Sequence, residues 1–175
     1  MKLVVGLGNP GKKYEKTRHN FGQLFVQELS LARRVASSTL FKNIQLVKVT
    51  LSNQELLLVG PLAFMNESGQ SVTEVMHYYH IAASDLWVVH DDLDLPFGAV
   101  RLSFDASSGG HRGVESIITV LGSKEFHRLR LGIGRPPENI PAEDFVLQSF
   151  TLQEQKQLDA TIALAIQKLT DSLEQ

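Results

Sequence analysis

The stretch Lys2–Asn20, KLVVGLGNPGKKYEKTRHN, sets the pattern for the whole chain. Leu3-Val4-Val5 reads as a buried strand because it is short, apolar and β-branched. It gives way to a glycine-punctuated loop, which delivers His19 between Arg18 and Asn20 at the predicted start of a helix. The design recurs in AFMNESG at Ala63–Gly69, HDDLDLP at His90–Pro96 and GGHRG at Gly109–Gly113. Each polar segment stands where an apolar one gives way to a turn, which is how a rigid scaffold gathers distant side chains into one cleft.

Between these segments the periodicity alternates. Phe21, Leu24, Phe25, Leu29 and Leu31 predict a helix from Asn20 to about Arg34. Gln45–Leu51 and Glu55–Gly60 flank Ser52-Asn53 and read as a hairpin. Val72, Val75, Met76 and Tyr79 share a face over Ser68–Tyr79, with Ser68 or Ser71 as the expected cap. Leu86–Val89, Val100–Phe104 and Leu129–Ile133 read as strands and Val114–Leu121 as a helix. Leu152–Leu173 closes the chain as an amphipathic helix, with Leu158, Ile162, Ala165, Ile166 and Leu169 on one stripe. Strands alternating with helices predict an α/β fold: one domain over residues 1–175, a three-layer sandwich whose mixed, mostly parallel sheet is flanked by helices. In such sheets, sites form at the carboxyl ends of strands.

Bulk properties narrow the classes. At 175 residues and 43% hydrophobic content the chain can bury one good core. A net charge of -2 excludes a broadly basic nucleic-acid coat and leaves room for a local basic face. With no cysteine, thiol nucleophiles, disulfides and Cys-zinc sites are excluded. No apolar run approaches the roughly 20 residues that span a bilayer. The first residues enter a strand-like run with no basic leader, so no membrane association and a cytoplasmic location are expected.

Each motif has a bland reading beside a chemical one. Gly6-Leu7-Gly8-Asn9-Pro10-Gly11 satisfies G-x-G-x-x-G after a strand, but that fingerprint needs a helix at once, and here Pro10 and a polar run follow. The glycines read better as permitting a tight turn that presents Asn9, or as a purely structural turn. His19 alone reads as a surface or capping residue. His90-Asp91-Asp92-Leu93-Asp94 ends a strand with four ionisable groups in five positions, costly unless paired or hydrated. That leaves a carboxylate orienting a histidine, or a hard-metal site for which no other segment supplies clustered carboxylates beyond Asp105. Asn66 reads as a helix cap or a site residue. Gly109–Gly113 reads as an anion-friendly nest opening a helix or as a flexible loop. Lys12, Lys13, Lys16 and Arg18 crowd one loop and Arg128, Arg130 and Arg135 flank Leu129–Ile133; both clusters point to phosphate contacts.

Taken in order, these segments, with HRLRLGIGRP at His127–Pro136 and DFVLQSF at Asp144–Phe150, resemble the bacterial-type peptidyl-tRNA hydrolase family from Lys2 to about Phe150. The resemblance implies a monomeric α/β sandwich, with no metal or other cofactor, that cleaves the ester joining a peptide to the 3′ end of tRNA. Its partner would be the acceptor end of peptidyl-tRNA. Carried over by position, His19 corresponds to the catalytic base and Asp91 to the carboxylate that orients it. Asn9 and Asn66 match the substrate-binding and transition-state asparagines. Tyr14, Met65 and His111 match residues lining the cleft, and Arg130 matches a residue that meets tRNA phosphate. The chain departs from the family pattern at Arg112, where an asparagine is usual, at Ser103, where a lysine is usual, and at Gly60, Ala63 and Asp105-Ala106. Arg112 stands either to recover a phosphate contact or to block the cleft. The altered basic shell keeps two alternatives in view: a non-catalytic RNA- or protein-binding relative, and a hydrolase of a smaller ester or amide.

Overall fold

Strands and helices alternate through β1 (Lys2–Gly6), α1 (Phe21–Ala32), β2 (Val35–Phe41), β3 (Ile44–Leu51), β4 (Gln54–Val59) and α2 (Ser68–Tyr79). They continue with β5 (Leu86–Asp92), β6 (Val100–Phe104), α3 (Arg112–Leu121), β7 (His127–Gly132), α4 (Ala142–Val146) and α5 (Leu152–Leu173). The structure is a computed structural model and describes residues 1–33, 35–42, 44–60 and 63–174. The strands form one sheet in the order β2-β3-β4-β1-β5-β7-β6. The centre β4-β1-β5-β7 is parallel, and β3 and β6 run against it. The hairpin expected at Ser52-Asn53 joins β3 to β4, both turn residues being left-handed at φ 48 and 59.

Alternate residues of the buried strands feed two cores. Val4, Trp87, Val89, Leu129 and Leu131 pack against Phe21, Phe25 and Leu29 of α1 and Ile162, Ala165 and Leu169 of α5. Leu3, Val5 and Val88 pack on the other face against Val72 and Val75 of α2 and Val114 and Ile117 of α3. A fully buried side chain such as Phe25 or Leu29 contributes about 1.5–3 kcal/mol. These layers are the expected sandwich.

Three local expectations change. Leu31 is 78% exposed, because α1 rotates it to solvent and buries Val26 instead. Neither Ser68 nor Ser71 caps α2: the N-cap is Glu67, without a side-chain bond, and the Ser68 hydroxyl donates to the Met65 carbonyl. Gly6 and Gly8 do not adopt positive φ; only Gly11 in that loop does, at 103°. Gly6 is needed for space, since a Cβ there would lie 2.2 Å from the Gly22 carbonyl oxygen, and one at Gly22 would lie 2.1 Å from the Val89 oxygen. The backbone of α1 therefore touches the strands, and that contact seats the turn before α1 against the end of β5. Strand β2 and helix α4 lacked a legible period and were not expected. Arg34, the expected end of α1, lies outside the described residues.

Candidate active site

The carboxyl ends of β4, β1 and β5 lie side by side; the segments leaving β4 and β1 supply Met65 and Asn9, and the end of β5 itself carries Asp91. Asp91 sits where α1 approaches from one face and α3 from the other. His19 lies in the single 3-10 turn Arg18–Asn20 that leads into α1. His111 is the N-cap of α3.

The His19 Nδ1 lies 3.0 Å from both oxygens of Asp91, and the His111 Nε2 lies 2.9 Å from Oδ1. Burial pushes the Asp91 carboxyl up, but His19 and His111, by charge and hydrogen bonds, hold it well below the usual carboxylate range. An ionised carboxylate only accepts, so both imidazoles donate to it. The tautomers follow. His111 Nδ1 accepts the Val114 backbone N–H at 3.3 Å, which leaves its proton on Nε2 for Asp91. His19 donates through Nδ1, so its Nε2 carries the lone pair; that atom has no partner among the described residues, and the side chain is 10% exposed. His90 donates from Nδ1 to the Asp91 carbonyl at 2.7 Å and meets the His111 ring at a 4.8 Å centroid separation. Burial and the neighbouring His111 push it down to about 3, so it stays neutral in the core.

Asn9 is as tightly defined. Its Oδ1 accepts the Met65 N–H at 2.9 Å, which fixes the amide's orientation and leaves Nδ2 as its donor. The fully buried Asn20 accepts the Asn9 N–H and donates to the Asn9 carbonyl, each at 2.9 Å. Its Nδ2 also donates to Gln23. Met65 is buried, with its sulfur 2.4 Å from where a Cβ on Gly113 would stand, so the glycine lets α3 begin against it. Asn66 does not cap α2; its carbonyl accepts the Ser116 hydroxyl, and its exposed side-chain amide has no partner among the described residues.

The carboxylates of the ionisable run that ends β5 are all paired. Asp92 accepts from Arg130 at 2.5 Å and Asp94 from Arg135. Asp105 stays apart, near Lys124 at 4.0 Å, so it does not complete a carboxylate shell with that run. His19, Asp91 and His111 place three ligand-type atoms within 4.8 Å. Their nitrogens toward Asp91 already carry protons, so the donor set matches a hydrogen-bond relay better than a cation.

Two basic residues differ from expectation. Arg18 is buried, donates to both Glu154 oxygens at 3.0 and 2.8 Å, and stacks 4.1 Å over the Phe145 ring; it anchors the His19 turn rather than meeting phosphate. Glu154 also closes a capping box with Thr151 at the start of α5. Arg128 is buried and donates to the Ala106 and Ser107 carbonyls. Arg112 is turned to Glu143 at 2.7 Å, and Tyr14 is half-buried beneath the Lys13 ammonium, 4.7 Å from its ring centroid. Asn20, Glu154 and Arg101 escaped the sequence reading; of these only Glu154 carried a signal, the T-x-x-E pattern at Thr151–Glu154.

A neutral imidazole hydrogen-bonded to a buried, ionised carboxylate at the strand ends of an α/β sandwich is an arrangement suited to general acid–base chemistry. The chain belongs to the peptidyl-tRNA hydrolase family, whose model matches residues 3–175. It is 43% identical to the peptidyl-tRNA hydrolase of Aquifex aeolicus, over 99% of this chain and 91% of that one. It is 46% identical to the peptidyl-tRNA hydrolase of Geobacillus kaustophilus, over 94% and 89%. The crystal structure of peptidyl-tRNA hydrolase from Acinetobacter baumannii matches with a TM-score of 0.87 at 34% identity, over 99% of this chain and 90% of that one.

Proposed function

We propose that the protein hydrolyses the ester between the peptide and the 3′ end of tRNA in peptidyl-tRNA, releasing tRNA for reuse in translation. The observation that carries the mechanism is the His19–Asp91 pair at 3.0 Å. A water at His19 Nε2 loses a proton to the imidazole and attacks the ester carbonyl. Asp91 stabilises the imidazolium, as the carboxylate of a catalytic triad does. The bond from acyl carbon to ribose 3′ oxygen breaks, and the imidazolium returns its proton to that oxygen. The Nδ2 donors of Asn9 and Asn66 serve the carbonyl and the developing oxyanion, contacts worth about 3–4 kcal/mol each. His111 holds Asp91 from the opposite side. Tyr14 and Met65 line the acceptor end's path, and Arg112 and Arg130 meet RNA.

A site that binds a peptide amide leaves a free α-ammonium poorly solvated, so peptidyl-tRNA is preferred over aminoacyl-tRNA. No helix among the described residues is long and apolar enough to cross a membrane. We read the protein as a cytoplasmic monomer.

The test is turnover of a purified peptidyl-tRNA by wild type and by His19→Ala. Wild type should cleave it, and the variant should lose about 10²- to 10⁴-fold in kcat with its unfolding transition preserved. Near wild-type turnover by the variant would remove His19 as the base.

A further inference from the structure

The ladder between β1 and β5 stops just short of the two residues that carry site groups. It runs from Leu3 opposite Leu86 to Gly6 opposite Val89, and the Leu7 N–H still donates to the Val89 carbonyl at 2.9 Å. Carbonyls alternate sides along a strand, so the Asp91 carbonyl points the same way as that of Val89. The next rung would join it to the Asn9 N–H. Two side chains take its place: the Asn9 N–H donates to Asn20 Oδ1 at 2.9 Å, and the Asp91 carbonyl accepts from His90 Nδ1 at 2.7 Å. On its other side β5 keeps pairing with β7 as far as Asp92 opposite Gly132. The sheet is parted between Asn9 and Asp91, and both freed backbone groups are satisfied by side chains.

His90 is buried, and its ring also meets the His111 ring edge to face, with 63° between the planes. His111 in turn donates to Asp91 Oδ1. One buried side chain thus reaches Asp91 twice, through its carbonyl and through the ring that holds its carboxylate. An aliphatic residue would fill this place without burying polar nitrogens, and His90 Nε2 has no partner among the described residues. What the imidazole adds is the Nδ1 donor. We infer that His90 is a positioning residue, which holds the Asp91 main chain where the β1–β5 ladder is parted and so aims the carboxylate at His19. An aspartate side chain is short, so its oxygens follow its backbone closely. The inference rests on the hydrolysis proposed above and adds a residue that acts only through its neighbours.

The experiment compares His90→Asn, His90→Leu and His90→Phe with wild type in peptidyl-tRNA hydrolysis, each rate taken per folded molecule from a urea transition. Asn and Leu have nearly the same shape, but only Asn offers an N–H where Nδ1 stood. Phe keeps a ring and loses the donor. His90→Leu and His90→Phe should lower kcat by about 10- to 100-fold and leave KM within about twofold, as for a misaimed catalytic group. His90→Asn should recover kcat to within about fivefold of wild type, although it packs the core less well than Phe. The reverse order, with Leu or Phe turning over faster than Asn, would reduce His90 to core packing and overturn the inference. Three variants with equal kcat would overturn it too. The two apolar variants stand in for each other should one fail to fold. Wild type that cleaves no peptidyl-tRNA would overturn the hydrolysis reading, and the inference with it.

Discussion

The cleft is built on opposite terms at its floor and at its rim. On the floor, Asp91 is 2% exposed and receives N–H groups from two imidazoles, and Asn9 is clamped by the wholly buried Asn20. At the rim, the Arg112–Glu143 pair has side chains 69% and 66% exposed, and Arg101 has no acid partner among the described residues. The difference is what the proposed function asks of each part. A transition state is served by dipoles already aimed in a water-poor site, so no reorganisation is needed during reaction. A long polyanion is served by charges that remain hydrated until they trade one partner for another.

The largest way to break this contrast is at the floor's one fixed charge. Asp91→Asn keeps the volume but removes the group that stabilises the His19 imidazolium, and kcat should fall by about 10³- to 10⁴-fold. A loss of tenfold or less would show that the carboxylate is structural. The same substitution sharpens the acid behaviour. Asp91 and Glu154 both have folded pKa values held below the ordinary carboxylate range, Glu154 because Arg18 and Thr151 outweigh the upward push of burial. Such groups contribute stability that is complete above about pH 5 and is lost as pH falls through the depressed values. Urea midpoints measured downward from pH 5 should drop steeply in wild type and less steeply in Asp91→Asn.

A second break targets the clamp behind Asn9. Asn20→Ala removes both bonds to the Asn9 backbone, along with the bond to Gln23. A loosened Asn9 misplaces its Nδ2 donor, and kcat/KM should fall by about 10- to 100-fold. Losing buried hydrogen bonds should also cost about 1–3 kcal/mol of stability. Full activity per folded molecule would mean that Met65 alone positions Asn9.

Much of the floor was legible in the sequence, and for a physical reason. Asn9 and Asp91 stand just past or at the end of an apolar strand run, and His19 stands in the turn that opens α1, so each lies at a break in the apolar pattern. The strand Val100–Phe104 and the helices Ser68–Tyr79 and Leu152–Leu173 were legible at their full bounds, because their apolar residues repeat with a clear period or run. Strand β2 was not: as an edge strand with Val35 and Leu40 exposed, it has no buried side to impose alternation. Glycine spacing suggested a turn, whereas Gly6 serves a helix-to-strand contact that exists only in three dimensions. Charge was the least legible property. Arg18 and Arg101 look alike along the chain, yet one is locked to Glu154 and the other stands free among the described residues, a distinction set by which elements pack nearby.

The smallest expected effect probes whether the rim is as replaceable as its exposure implies. Arg112 is the first residue of α3, directly after His111, and its guanidinium reaches Glu143 at the start of α4. An exposed pair of this kind contributes about 0–1 kcal/mol, so neither Arg112→Asn nor Glu143→Gln should move the unfolding midpoint appreciably. If Arg112 trades Glu143 for phosphate when RNA arrives, the two variants should act in opposite directions. Arg112→Asn should raise KM for peptidyl-tRNA by about twofold to fivefold, and Glu143→Gln should lower it by a similar factor, with the gap closing as added salt screens both contacts. A KM lowered by Arg112→Asn would identify the arginine as an obstruction across the cleft. A fall in kcat beyond tenfold would move it from the rim to the floor, and the contrast between the two regions would have to be redrawn around His111.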